Sequence, residues 1–399
     1  MAMRLLVVFL ICVWFGCDTL NIPISSNVSV SSSGSGPGRN MPENRTELPS
    51  PPGSDTGTIQ VMAHYVSWHR ECIVWEEEAP IQPIRNSGVC DVGYDSRDPE
   101  IIRQQNEEFL ENDIVPLASW WGKAGSRLER SGDLFLDAYL SVPSPVRIGI
   151  LYEMTELLIK SDDGKFDFNN PENVERFASD IEYLNTKYFS KYPDRFYRID
   201  GKPVVFVWLT GLFKGPFHIA AEQARARANV YLIGSDFNIF SYFRTELLDT
   251  VKGFDAVSSY GIYSPDLART QSEIDEQYLG KYVQSALRWA QWLEDNAPRV
   301  VLIPPMMFAY DDTMTRPEAG NLPITSSHEI AVLQARTVQS LIHDSLERCG
   351  NIVPYVIFVS YNEHYEGTSL EPTDRYGDSY LRIVGDVFTE PVPAPLVCN

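Results

Sequence analysis

Positive charge is scarce in this chain: 33 Lys and Arg stand against 54 Asp and Glu, a formal net charge of -21. A phosphate-binding surface would have to be built against the protein's own field, so neither nucleic acid nor an anionic membrane surface is an expected partner. Histidine and cysteine are also few, 6 of each. Their spacing matches no zinc motif and no His-Glu-x-x-His pair occurs, so no metal site is expected. No Gly-x-Gly-x-x-Gly follows the first strand-like run, which counts against a dinucleotide, and no other cofactor is implied. A membrane span needs about 20 apolar residues, and the run Leu5 to Phe15 is too short for one; it has the length of a signal-peptide core.

That run follows a weakly positive start, Met1 to Arg4, so residues 1–20 are expected to be a signal peptide or signal anchor, with Gly16-Cys17 leaving lipidation open. Residues 21–57 are rich in Ser, Gly, Pro and Asn and cannot offset their ordering entropy, which predicts a disordered linker. Two glycosylation sequons lie in it, at Asn27-Val-Ser29 and Asn44-Arg-Thr46. The expected location is extracellular or at the cell surface, or lumenal and signal-anchored in a eukaryote, with any membrane tether confined to this N-terminal segment. Cys12 and Cys17 belong to the export segment. Cys72, Cys90, Cys349 and Cys398 remain, and three disulfide connectivities stay open for them.

What the sequence does have is apolar and aromatic material, 44% and 12% of residues, enough for a packed core. Beyond Gly57, eight short β-branched or aromatic runs recur: Ile59–Trp68, Ile114–Trp121, Val146–Tyr152, Pro203–Leu209, Asn229–Ser235, Phe254–Tyr260, Arg299–Phe308 and Ile352–Tyr361. Helical stretches lie between them at Pro99–Glu111, Pro171–Tyr188, Glu273–Glu294 and His328–Arg348. Near-continuous apolar strands alternating with helices predict an α/β fold, a single (β/α)8 TIM barrel over residues 58–390. In such a barrel all strands end on one face, and the residues just past each strand converge there.

Those residues mix aromatics with carboxylates. The candidates for holding a substrate are His64, Tyr65 and Trp68 from the first strand, Trp120 and Trp121 from the second, Glu153 from the third, Tyr260 from the sixth, Arg316 after the seventh and Asn362 after the eighth. Aromatic faces stack on the C–H faces of sugar rings while carboxylates and amides take hydroxyls, so the expected substrate is an oligosaccharide or polysaccharide. The eighth run leads into Asn362-Glu363-His364-Tyr365-Glu366-Gly367-Thr368. Glutamates three apart face opposite ways on a straight strand, but at a strand end that must turn, helped by Gly367, both can face one pocket. Cleaving a glycosidic bond needs one protonated and one ionised carboxyl group, and proximity pushes their pKa values apart.

With these motifs the chain resembles glycoside hydrolase family 99, the endo-α-mannosidase and endo-α-mannanase family. The family's strand-eight signature, close to Asn-Glu-Trp-His-Glu-Gly-Thr-x-Ile-Glu-Pro, is similar to Asn362 through Pro372 here. His64-Tyr65 with Trp68, Tyr94-Asp95-Ser96, Asp98-Pro99-Glu100, Ser119-Trp120-Trp121-Gly122, Gly201-Lys202-Pro203-Val204 and Asp311-Asp312-Thr313 with Arg316 extend the likeness over about residues 59 to 388. The resemblance implies a retaining, endo-acting hydrolase of α-mannosides. Glu363 would deprotonate the sugar's own 2-hydroxyl to give a 1,2-anhydro intermediate, and Glu366 would act as general acid and then base. Where the family has Trp then His between the glutamates, this chain has His364-Tyr365, and strand one reads Tyr65-Val66-Ser67-Trp68-His69; both changes bear on sugar specificity more than on reaction class. Two alternatives remain: the WbsX-like proteins, which share the Asn-Glu...Glu-Gly...Glu-Pro pattern and are described as glycosyltransferase-like, and a non-catalytic glycan-binding barrel.

Overall fold

The computed structural model describes residues 57–69, 83, 93–123, 125, 132–238, 248–261, 271–317, 323–348 and 350–391. The export segment, the linker, both sequons and all six cysteines lie outside the described residues.

Eight parallel strand positions form the barrel wall. They are β1 Gln60–Tyr65, β2 Ile114–Trp120, β3 Gly149–Tyr152, β4 Lys202–Val207, β5 Tyr231–Asn238, β6 Ala256–Gly261, β7 in two pieces, Val301–Leu302 and Pro305–Met306, and β8 Tyr355–Phe358. Each pairs in parallel with the next, and β1 pairs with β8 through Gln60↔Tyr355 to Ala63↔Phe358. The two pieces of β7 complete the ring, the first against β6 and the second against β8. The break falls at Ile303-Pro304-Pro305, where adjacent prolines cannot donate to a ladder. Ile303 still donates to the Val257 carbonyl at 2.9 Å, and Ile357 donates to the Pro304 carbonyl at 3.0 Å.

Helices follow the strands: α1 Pro99–Glu111, α2 Asp133–Ser141, α3 Pro171–Leu184, α4 Phe217–Arg227, the single turn α5 Leu248–Val251, α6 Gln271–Asn296, α7 His328–Glu347 and α8 Ser379–Phe388. The expected barrel is the fold observed. α1 keeps its expected bounds because Asp98 accepts from the Glu100 N–H and Pro99 occupies the first turn, where a missing donor costs nothing. Asn170 and Pro171 start α3 in the same way. None of the helices among the described residues is long and apolar enough to cross a membrane.

Alternation along the strands divides the core. Met62, Val115, Leu117, Leu151, Val204, Phe206, Tyr231, Ile233, Ala256, Ile303, Tyr355 and Ile357 pack together inside the ring. Their neighbours, among them Val61, Ala63, Ala118, Ile150, Val205, Leu232, Val356 and Phe358, pack outward with the helices. Side-chain direction in a strand has period two, so this parity decides which strand-end residues reach the barrel mouth.

Candidate active site

The chain leaves β8 and closes on itself. Ser360 donates its N–H to the Thr368 carbonyl at 3.0 Å, Thr368 donates to the Glu363 carbonyl at 3.2 Å, and Leu370 donates back to the Ser360 carbonyl at 3.0 Å. The Ser360 hydroxyl accepts the Glu363 N–H at 2.7 Å. The tight return is made at Gly367, with φ of 63°. A side chain there would be strained by that φ, and its Cβ would stand 3.1 Å from both the Cβ and the N of Asp311. Gly367→Ala is therefore expected to destabilise the fold by about 1–3 kcal/mol and to lower activity more than that loss explains, since the loop carrying both glutamates must shift; urea unfolding beside steady-state rates checks it.

Beneath the loop lies a buried polar network. Glu371, 1% exposed, accepts from Gln105 Nε2 at 2.8 Å and from the Tyr94 hydroxyl at 2.6 Å, with His364 Nε2 at 2.9 Å. Gln105 projects from α1 and also accepts from the Tyr65 hydroxyl at 2.7 Å. Asn362 was a sequence candidate for sugar binding, and the structure gives it another task. Its Oδ1 accepts the Val66 N–H at 2.6 Å, and its Nδ2 donates to the Val66 carbonyl at 3.0 Å and to the Tyr94 oxygen at 3.1 Å. Asn362 staples the eighth-strand loop to the end of β1, and both N–H donors of its amide are used inside the protein.

Glu363 and Glu366 are both buried and electrically coupled. Burial, and then the charge of Glu366, push the Glu363 carboxyl up to about 8; the Tyr365 N–H, donating to Oε1 at 3.1 Å, and the more distant Arg316 oppose this. Glu366 accepts at both oxygens, from the Tyr260 hydroxyl at 2.7 Å on Oε2 and from Arg316 Nη2 at 2.5 Å on Oε1. Glu153, just past β3, is a third carboxyl group of the cluster. Burial first and the charge of Glu363 second hold it well above the usual carboxylate range, against a hydrogen bond with Ser119.

Parity sorts the remaining candidates. His64, Trp121, Glu153 and Tyr260 share the inward parity, as does Trp208 after β4. The His64 ring stacks on Tyr260 with centroids 5.5 Å apart, and Trp208 meets Tyr260 edge-on at 5.8 Å. Trp68 is half-buried and meets Trp121 edge-on at 5.7 Å. Burial lowers the His64 pKa to about 3, so the ring is neutral. Among the described residues, both His64 nitrogens, Glu153 Oε2 and the indole nitrogens of Trp121 and Trp208 are buried without a hydrogen-bond partner. Unpaired buried polar groups are costly, and a polyhydroxylated ligand or ordered water would satisfy them.

Tyr65 and Trp120 are corrected: neither faces the mouth. Both pack in the outer layer, Tyr65 stacked between Phe135 and Tyr361, and Trp120 donating its indole N–H to Asp133 Oδ1 of α2 at 3.1 Å. Strand alternation turns both outward, each one residue from an inward-facing neighbour, His64 and Trp121. Sequence reasoning also left Glu371, Tyr310 and Asp312 without a role. A carboxylate in the Glu-Pro step after a strand-end loop, and two acidic residues before Arg316, were the signals available. Among the described residues, no group of three or more His, Cys, Asp or Glu is arranged to hold a metal ion.

A family model described as "Glycosyltransferase WbsX" matches residues 171–384, from α3 to α8, including both loop glutamates. Among solved structures, a "glycoside hydrolase-like protein" is similar at 17% identity with a TM-score of 0.67, covering 85% of this chain and 96% of its own. The GH99 endo-alpha-mannosidase from Bacteroides thetaiotaomicron is similar at 20% identity with a TM-score of 0.53, covering 84% of this chain and 99% of its own. Its complex with BIS-TRIS-propane gives 20% identity and a TM-score of 0.54. At these identities the likeness establishes a shared fold. No curated protein sequence matches the chain.

Proposed function

The chain belongs to the family described as glycosyltransferase WbsX, and from its coupled glutamates we propose that it is nevertheless a retaining, endo-acting glycoside hydrolase of α-mannosides. The observation that carries this reading is the pair itself: two buried carboxyl groups on one loop at the mouth of a barrel, Glu363 with its proton affinity raised and Glu366 held by Arg316 and Tyr260. One proton shared between two carboxyl groups is what acid-assisted cleavage of a glycosidic bond requires.

In the proposed reaction Glu363 takes the proton of the substrate's 2-hydroxyl as O2 attacks C1. The C1–O bond to the leaving sugar breaks while Glu366 gives its proton to the departing oxygen. Water, deprotonated by Glu366, then opens the 1,2-anhydro sugar at C1, and Glu363 returns the proton to O2. In the empty site the proton rests on Glu363. A hydroxyl donating to Glu363 favours its ionised form, so bound substrate shifts the shared proton toward Glu366.

This assignment has a pH signature. The pair works with one proton in all, and in the empty site Glu363, its carboxyl pushed up to about 8, holds it. The value of kcat/KM is therefore expected to fall as pH rises through that value, because the doubly ionised pair has no proton for the leaving oxygen, as measured on a mannan oligosaccharide across pH 5–9. A climb that levels near pH 8 would mean that the pair does not share a single proton.

A transferase reading rests on the family's description. It asks the site to hold the diphosphate of a sugar nucleotide, yet the guanidinium at the mouth, Arg316, is committed to Glu366 and Asp312, and three carboxyl groups lie nearby. A hydrolase fits that electrostatics better. Within the proposal, residues 58–390 are the hydrolase domain, and the first 57 residues direct its export, to be secreted or tethered at the surface, or signal-anchored in a lumen in a eukaryote.

A further inference from the structure

Arg316 was read from sequence as a ligand for sugar hydroxyls, but its guanidinium is bonded within the protein. Nη2 donates to Glu366 Oε1 at 2.5 Å; Nη1 donates to Asp312 Oδ2 and to the Tyr310 oxygen, both at 3.1 Å. The Tyr310 hydroxyl donates to the same Asp312 oxygen at 2.8 Å. Asp312 is 1% exposed and Arg316 8%. If Arg316 swung toward a sugar it would leave a buried carboxylate at Asp312 without its counter-ion, so the cation is locked against Glu366.

During the proposed first step the negative charge of the pair moves. At the start Glu363 is ionised and Glu366 carries the proton. At the end the 2-hydroxyl proton is on Glu363, the proton of Glu366 is on the leaving oxygen, the C1–O2 bond has replaced the C1–O bond, and the charge sits on Glu366. Around Glu366, the Arg316 cation faces the oxygen where that charge arrives; Tyr260 donates to the other oxygen, Tyr310 stands behind Arg316, and Glu363 is the group losing its charge. A fixed donor aimed at developing charge needs no reorganisation when the charge appears.

We propose that Arg316, tethered by Asp312 and Tyr310, is a positioning residue that promotes proton release from Glu366 to the leaving sugar. The inference rests on the reading of Glu366 as the general acid. Help with protonation matters most when the leaving group is poor, and an activated aryl oxide departs without a proton.

Arg316→Met is therefore expected to lower kcat/KM for mannan oligosaccharides by about 10²–10³-fold, and for a 2,4-dinitrophenyl mannoside less than about tenfold, steepening the dependence of rate on leaving-group acidity. Arg316→Lys keeps the charge without the two-pronged fork and should fall between Met and wild type. Asp312→Asn, which loosens the tether and leaves Arg316 and Glu366 in place, should show the same skew at smaller size, and it carries the test if the Met variant does not fold. Equal losses on both substrate types with a raised KM would make Arg316 a sugar ligand and overturn the proposal. Failure of the wild type to hydrolyse either substrate would instead remove the hydrolase reading on which it rests.

Discussion

Replacing Glu363 by Gln is expected to abolish turnover of every glycoside tested, by about 10²–10⁴-fold or more, because the group that takes the 2-hydroxyl proton is needed whatever leaves. Glu366→Gln should lose a similar factor on oligosaccharides and keep a much larger share of its first-step rate on a 2,4-dinitrophenyl mannoside, which needs no proton to depart. Steady-state and burst measurements of the two variants on both substrates check this. If Glu363→Gln were the variant rescued by the activated substrate, the roles would be exchanged. The same substitution carries an opposite expectation for stability. The Glu363 carboxyl is raised to about 8 in the fold, so its stabilising contribution is complete below the unfolded value of about 4.3 and is lost as pH rises through the folded value. Glu363→Gln should therefore melt higher than wild type at pH 8–9, with the gap closing toward pH 4.

The second large effect is expected at a residue that does not face the barrel mouth. Glu371 is 1% exposed and serves Gln105 and Tyr94 as acceptor, with His364 Nε2 against the same carboxylate. Glu371→Ala leaves those groups buried without their partner, at a cost of about 3–5 kcal/mol by analogy with other broken buried polar pairs. Because His364 lies between the two loop glutamates and Tyr94 also accepts from Asn362, the loss is expected to reach the loop and lower kcat well beyond any effect on KM. Glu371→Gln keeps the shape and one acceptor oxygen and should cost roughly half as much. Chemical denaturation of the three proteins decides; a midpoint unchanged in Glu371→Ala would mean that water replaces the carboxylate and that the network does not hold the loop.

Much of this was legible in the sequence where local chemistry and tertiary structure agree. Pro99 with Asp98 fixed the start of α1, and His328 to Arg348 is within a residue of α7, because a helix that caps itself and has one apolar face reads the same alone and in the fold. The expected strand runs extend beyond the strands that form: Arg299–Phe308 holds two short pieces because Pro304 and Pro305 interrupt the ladder. Helices α2, α4 and α8 lie outside the expected helical stretches, although α8 is amphipathic; its buried Tyr380, Leu381, Val384 and Phe388 follow the 3.6-residue period beside Gly385.

At the site, the convergence of Glu363 with Glu366 was legible because a strand end followed by glycine must turn. The partners of Arg316 and Asn362 were not. Asp312 and Tyr310 lie close to Arg316 in sequence, but the decisive contacts are remote, Glu366 for Arg316 and Val66 for Asn362, 50 and 296 residues away. A polar side chain at a strand end is equally suited to a sugar or to a neighbouring loop, and only packing chooses. The outward turn of Tyr65 and Trp120 was available from alternation, since Met62 and His64 share one face of β1 while Tyr65 lies on the other.

The central claim is that this barrel breaks glycosidic bonds with water through the loop glutamates. It is tested most directly by incubating the purified protein with a mannan oligosaccharide and following anomeric protons by NMR. The expected result is release of a shorter oligosaccharide whose new reducing end first appears in the α configuration, absent with Glu363→Gln. Release in the β configuration, or sugar transfer seen only when a nucleotide-activated mannose is supplied, would contradict it.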